Sequence, residues 1–560
     1  MRARRLPLVL AFALLPGLLP GALFGQEHPR QPLLKLVPAD FGFTLVVQDL
    51  RDQLERWGKS EWLKKMEETP LVQLVLKSDE LRDLRKMLDD LPTYVGVDWP
   101  TLRDEVLGDA IVLAYRPPPP DKPKEENGLL LLRARRPELL GKIMSRLNEL
   151  QKKSGELKDL EALEHRGVKY WRRVHEKNSH YYALKDGLLI VAASDELMRQ
   201  LLDSTLKEPG ENLWSRAIAK AAVPRSFVSL AVNPRAFDAE LAKAGKDGDL
   251  FKTKFAPYWQ ALEALVLNVR MDDSVELRVS LQGKAKDSSV AAKRLFAPRP
   301  TSPLWAHFPK KSAILTVTGQ IDLSILDGAW DDLWPPAARK MLLENLQKVV
   351  GPVLGLDVAK DLLPNLGPDW GVCVFGSDNP KNVPQVVFAL AARPGDKDVN
   401  ADQALYRGLQ FLAGLAVFDY NRNHPDPIRI HTLHQDKVEV KCLVNDKAFP
   451  PGFQPAFALK DGYLLVATSP EAILRFHKEA AVSSSAESLF LRFSAKELSK
   501  QLKLHQDLLA DQIAERNGIP RDAALEAIRA ASLVFGVFDR FELATTSRDR
   551  ELTVILRVTP

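Results

Sequence analysis

Cysteine is nearly absent from this chain: Cys373 and Cys442 are the two thiols in 560 residues. So few exclude a disulfide-stapled scaffold, and both fall in the C-terminal half with no counterparts in the other. An oxidising compartment would permit a bridge, but Cys442 shares a period-two face with Val438, Val440 and Val444, which predicts a buried thiol acting as a small hydrophobe. Long apolar runs are also missing beyond the first 25 residues; the best, Leu409 to Phe418, is interrupted by Gln410 and Gly414. A bilayer span needs about 20 apolar residues, so no transmembrane segment is expected in the mature chain. Neither sign of charge dominates, with 78 Lys and Arg against 73 Asp and Glu, and no sustained basic stripe occurs. Nucleic-acid binding thereby loses its electrostatic basis. Gly-x-Ser-x-Gly elbows, complete Gly-x4-Gly-Lys-Ser/Thr phosphate loops and Gly-rich dinucleotide turns are all absent, so the familiar hydrolase, nucleotide and dinucleotide sites are excluded and no cofactor is expected.

The N-terminus is informative. Met1-Arg-Ala-Arg-Arg5 is basic, Leu8 to Leu15 is uninterruptedly apolar, and Pro16-Gly17 and Pro20-Gly21 follow. That is the order of a secretory signal, with an apolar core too short and too broken for a comfortable membrane anchor. Residues 1–25 are read as a signal peptide cleaved near Gly25, or after Ala22, giving an exported periplasmic or extracellular product. Loss of Arg2, Arg4 and Arg5 takes the formal net charge from +5 to +2, since no acidic residue precedes Glu27.

The strongest signal is internal similarity. Ala183-Leu-Lys-Asp-Gly-Leu-Leu-Ile-Val-Ala-Ala-Ser-Asp-Glu196 returns as Ala458-Leu-Lys-Asp-Gly-Tyr-Leu-Leu-Val-Ala-Thr-Ser-Pro-Glu471, ten of fourteen positions being identical. Leu277, Val279 and Leu281 align with Leu552, Val554 and Leu556 at the same offset of 275. A repeat predicts two copies of one module, placed at 30–283 and 303–560 with a linker at 284–302. Within the repeated motif, Lys185-Asp186-Gly187 and Lys460-Asp461-Gly462 predict tight hairpins, because Asp and Gly tolerate the positive φ of both central turn positions. Ser194 and Ser469 are expected helix caps, with Pro470 at a first helical position where its missing N–H costs little. Every residue of the motif has a folding role.

Each half reads as strand, helices, two strands, helix, three strands, helices, strand, helices, two strands. Short links imply antiparallel neighbours, so the expected fold class is α+β: two tandem copies of a large, mainly antiparallel sheet with helices packed on it. Leu188 to Ala193 lacks polar alternates and should be covered on both faces, whereas Val275 to Leu281 alternates with Glu276, Arg278 and Ser280 and should show one face to water or a wet cavity. Arg116 to Asn127 is proline-rich and reads as an extended surface loop.

Candidate chemistry is thin. His424, His431 and His434, with Asp426 and Asp436 nearby, are the densest metal-ligand cluster, yet on a strand residues 431 and 434 point to opposite faces. His175 to His180 is a near miss for a metalloprotease motif and falls in an expected hairpin. Asp331-Asp332 and Asp89-Asp90 read as solvated charges, and Leu326, Trp330 and Trp334 as a helical core stripe. Lys496 to Leu504 and Ala523 to Ala531 are ordinary amphipathic helices.

On the motifs Leu36-Val-Pro-Ala-Asp40 and Lys460 to Glu471 the chain resembles an uncharacterised family of exported bacterial proteins, known only as a domain of unknown function. The resemblance covers nearly all of the expected mature chain and implies an envelope or extracellular location, with no catalytic or ligand residues to carry over. The expected function is therefore a non-catalytic envelope protein that binds or scaffolds. Two alternatives are a carrier of a lipid or other apolar ligand in a groove of the curved sheet, and a hydrolase with an unrecognised site near His424 to His434. An envelope protein or an apolar ligand is the expected partner.

Overall fold

The computed structural model describes residues 30–560 except 70–71, 74–75, 119–126, 208–209, 222, 224–225, 245–254, 273, 285, 288, 299, 310–311, 321–335, 395–399, 436 and 479–486. The expected signal peptide, the Leu326, Trp330 and Trp334 stripe, Asp331-Asp332, Asp436 and most of the proline-rich loop lie outside the described residues. The chain is α+β, and wherever a strand register is defined the pairing is antiparallel. It divides into two compact units. One comprises the described residues up to Pro298 together with Ser547–Arg557; the other comprises Arg299–Thr546 with Val558–Pro560.

In the first unit the strands are β1 (Phe43–Gln48), β2 (Ala110–Arg116), β3 (Asn127–Arg133), β4 (Leu157–His165), β5 (Val168–His175), β6 (Ser179–Lys185), β7 (Leu188–Ala192), β8 (Val228–Val232), β9 (Leu262–Met271) and β10 (Val275–Gly283). They lie in the order β10-β9-β8-β1-β2-β3-β7-β6-β5-β4. The region between helix Pro137–Lys153 and helix Asp195–Thr205 thus holds four strands where the sequence pattern suggested three. Strand β4 carries Lys158, Asp159, Glu161 and Glu164 and is largely solvated, so it has little apolar alternation to announce it.

Strand β7 is covered on both sides. Leu188, Ile190 and Ala192 join a core with Leu33, Val112, Leu131, Leu201 and Trp214, whose helices pack on one sheet face. Leu189 instead joins Leu132, Leu140, Ile143 and Met144 beneath helix Pro137–Lys153 on the other. Continuous apolar character is what burial of both alternates requires.

Toward β10 the first of these faces becomes polar without becoming exposed. Glu276, Ser280 and Gln282 are 0%, 1% and 3% exposed and Arg278 is partly buried, so this side of β10 is largely covered where the sequence pattern suggested water or a wet cavity. Buried polar groups need partners. Glu276 finds three guanidiniums: Arg270 at 3.3 Å, Arg557 through Nε and Nη2 at 3.2 and 3.1 Å, and a close pair with Arg278. Nearby, Arg30 donates to Ser226 Oγ at 3.1 Å, and Ser229 Oγ donates to Asn268 at 2.6 Å.

In the second unit β11 (Ala313–Gln320), β12 (Leu366–Phe375), β13 (Gln385–Ala392), β14 (Arg429–Gln435), β15 (Val438–Val444), β16 (Ala456–Lys460), β17 (Tyr463–Ala467), β18 (Ser488–Ser494) and β19 (Arg540–Arg548) lie in the order β19-β18-β11-β12-β13-β17-β16-β15-β14. Its core gathers Leu304, Phe308, Phe375, Val387, Leu465, Ile473 and Phe476. Cys373 and Cys442 are both free thiols inside it. The last strand, β20 (Glu551–Thr559), pairs with β10, and its residues to Arg557 belong to the first unit, where Arg557 reaches Glu276.

Candidate interaction face

The paired motifs fold as turns and caps. Asp186 and Gly187 have φ of 50° and 77°, Asp461 and Gly462 of 53° and 80°, which joins β6 to β7 and β16 to β17 by two-residue turns. Ser194 Oγ accepts from the Leu197 N–H at 3.3 Å and Ser469 Oγ from that of Ala472 at 3.2 Å, with Pro470 opening its helix. Lys185 pairs with Leu188 in register and Lys460 with Tyr463. None of these residues lines either of the two clefts described below.

The histidines do not converge. His424 stacks on Tyr420 at 3.9 Å, its Nδ1 against the Tyr420 carbonyl, at the end of helix Ala401–Asn423. His431 and His434 stand on β14 opposite Cys442 and Glu439, on opposite faces of the strand. Among the described residues no group of three His, Cys, Asp or Glu is placed to hold a metal ion. His175 and His180 flank the β5–β6 hairpin with rings 5.6 Å apart.

Two histidines passed over in the sequence, His307 and His505, are buried. His307 stacks on Phe476 at 4.9 Å, meets Tyr463 edge-on at 5.3 Å, and sets Nδ1 3.8 Å from Asp461 Oδ2. Burial lowers the imidazole pKa, opposed by the Asp461 charge, while burial above all pushes the Tyr463 phenol up to about 12. Nδ1 makes no hydrogen bond among the described residues, and the ring packs against two aromatic rings, so this is a packed imidazole rather than an acid–base pair.

What stands out is uncovered apolar surface. Of the exposed large hydrophobic residues, Tyr94, Leu206 and Phe255 belong to the first unit and the remainder to the second. Helix Ala401–Asn423 lies on the second unit's sheet, with Tyr406 donating to Glu439 of β15 at 3.1 Å and meeting Phe457 of β16. Its opposite side presents Phe411, Leu412, Leu415 and Phe418, 53%, 51%, 49% and 68% exposed. Positions 411, 415 and 418 form one helical stripe. Arg407 and Arg422, four residues beyond either end, continue the same line and are exposed. Neither arginine has an ion pair among the described residues. Asp419 sits at the stripe's edge.

Helix Pro336–Leu354 meets it through its C-terminal end. At Gly408 any Cβ would collide with Leu354. Met341, Leu342 and Val349 of this neighbour are 63%, 39% and 71% exposed. Between the helices lies a cleft of about 370 Å³ lined by Leu354, Leu356, Ala404 and Phe411, with Asn400, Gln403 and Arg407 as its polar groups. A cleft of about 400 Å³ in the first unit is lined by Leu88, Pro92, Trp99 and Pro100 together with Arg85, Asp89 and Asp98. No helix of the described residues is long and apolar enough to cross a membrane. Compared with family models, curated proteins and solved structures, the chain finds no match.

Proposed function

We propose that this is an exported, non-catalytic envelope protein with a binding role, and that the outward face of helix Ala401–Asn423 is where it engages its partner. The observation carrying this reading is the Phe411, Leu412, Leu415 and Phe418 surface, each residue about half exposed or more. A helix apolar all round is normally buried all round, and contiguous exposed apolar surface marks interaction sites. The N-terminal signal pattern and the resemblance to exported bacterial proteins support the location. Descent from a duplicated module belongs to the same proposal. Its support is that β1 to β9 and β11 to β19 follow one another across their sheets in the same succession, with the Asp-Gly turn and the serine cap at matching places.

A carrier of a small apolar ligand is a second reading, favoured by the cleft of about 370 Å³, a volume at the lower end for ligand pockets. A photo-cross-linking residue at Leu415, in cells making the full chain, tests the main reading against a control at Glu149 on helix Pro137–Lys153. Adducts at 415 and not at 149 are expected. An unreacted chain with the probe at 415 would end the reading.

A further inference from the structure

We infer that the partner of this face is the surface of a bilayer containing anionic lipid, on which helix Ala401–Asn423 lies flat. The inference rests on the reading above and specifies its occupant. Its first support is charge: the apolar stripe is bracketed by Arg407 and Arg422, exposed guanidiniums without ion pairs among the described residues. Apolar side chains rimmed by arginines fit the boundary between acyl chains and anionic headgroups. Arginine also carries a long apolar stem, so it can follow the phenylalanines inward while its head stays among phosphates.

The same line of residues argues against a second copy of the chain as occupant. A two-fold contact pairs a surface with itself. With the stripe centred between residues 414 and 415, antiparallel self-pairing would set Arg407 of each copy against Arg422 of the other. Like charges would then meet at both ends of the contact. An anionic sheet of headgroups has the opposite sign everywhere. Insertion across the bilayer is excluded for this helix by its packing: Gly408 is buried against the neighbouring helix, and Tyr406 is held by Glu439. The helix can present one face and no more.

Co-sedimentation of the full chain with vesicles tests this. One set is an equimolar mixture of phosphatidylglycerol and phosphatidylcholine, the other phosphatidylcholine alone. Binding to the first and not the second is expected, weakened by added salt. Arg407→Gln with Arg422→Gln should lower the partition coefficient about 25-fold, from roughly fivefold per arginine near an anionic surface. Phe411→Ser with Phe418→Ser should abolish binding. Asp419→Asn should strengthen it severalfold on the anionic vesicles, with the melting temperature unchanged. Equal binding to both vesicle sets, no binding to either, or variants indistinguishable from the parent would overturn the inference. If vesicles fail while the probe at Leu415 captures a protein, the lipid assignment falls and the interaction face stands. If the probe also stays unreacted, both fall.

Discussion

Replacing Glu276 by glutamine should cost the first unit about 3 kcal/mol, although the change is isosteric. Its side chain is wholly buried, and one carboxylate answers three guanidiniums, from Arg270, Arg278 and Arg557. Removing one member of a buried ion pair costs about 3–5 kcal/mol, because the partner's charge is left without compensation. Glutamine keeps one acceptor oxygen, which argues for the lower end. Its amide would, however, turn a donor toward guanidinium donors. Asp272 relieves little, since it lies 3.6 Å from Arg270 and also serves Arg56 at 3.3 Å.

Scanning calorimetry reads the result. At about 2–4 °C per kcal/mol for a unit of this size, the transition of the first unit should fall by roughly 6–12 °C. A cycle with Arg557→Gln adds a check. Once Glu276 is neutral, removing Arg557 relieves repulsion, so the double variant should be more stable than the sum of the single effects by about 1 kcal/mol or more. The acid dependence has a definite sign. Burial alone would raise the Glu276 pKa, but the Arg278 hydrogen bond and the charges of Arg278, Arg270 and Arg557 together outweigh it and hold the group low. A depressed carboxylate contributes fully above its unfolded value of about 4.3 and loses that contribution as pH falls toward the folded value. Parent and variant should therefore begin to converge in stability as pH falls below about 4.3 and meet only below the folded value. A shift under about 1 °C at neutral pH would refute the reasoning, since a shift that small corresponds to under about 0.5 kcal/mol.

Three further outcomes are expected. Gly187→Ala should destabilise more than Gly462→Ala: both have positive φ, but a Cβ at 187 would press on the Ala134 carbonyl at 3.0 Å while one at 462 meets nothing within 4 Å, and denaturant midpoints would compare them. Cys373 and Cys442 should resist alkylation in the native chain and react together on unfolding, since burial pushes the Cys373 thiol up to about 12; mass spectrometry after a brief iodoacetamide pulse reads this, and labelling at the rate of a free thiol would contradict it. The pKa of His307 is lowered, mainly by burial, so the second unit should lose stability as pH falls below about 6.5, the unfolded value, and His307→Phe should flatten that slope in thermal scans between about pH 7 and 5.

Much of the fold was legible because local chemistry and tertiary structure agree. Asp-Gly pairs have few low-energy alternatives to a tight turn, and Ser194 and Ser469 do at the helix ends what a serine before an acidic first turn does in isolation. Leu188 to Ala192 announces burial on both faces by its composition, and the two cores receive its alternates. Strand β10 misled because alternation reports which side differs, not which side is wet. Its polar side is buried by arginines from β9 and β20, the latter 281 residues away in sequence at Arg557, and no local window contains that partner. His307 was illegible for the same reason: its companions Asp461, Tyr463 and Phe476 lie over 150 residues downstream. The stripe on helix Ala401–Asn423 was present as Phe411, Leu415 and Phe418, but within an interrupted apolar run a period of four and three reads as a failed membrane span until one side is seen to be packed.

That stripe is not something the fold demands. Helix Pro137–Lys153 occupies the corresponding place in the first unit, between β3 and β4, and turns Leu140, Ile143 and Met144 inward while exposing Glu138, Lys142, Arg146, Glu149 and Lys152. An outward face of charges is thus compatible with a helix in this position, packed on this kind of sheet. In the second unit the outward positions carry Phe411, Leu412, Leu415 and Phe418 instead, flanked by Met341, Leu342 and Val349 of the neighbouring helix. Exposed phenylalanines add nothing to folding that a lysine or glutamate would not supply, and they carry an aggregation liability. Polar replacements at 411, 415 and 418 should accordingly leave the melting temperature within about 2 °C of the parent while removing membrane or partner binding, because surface substitutions away from packed features usually fall within about 0.5 kcal/mol. A large loss of stability in that triple variant would instead make the stripe part of the second unit's own packing, and the case for an interaction face would end with it.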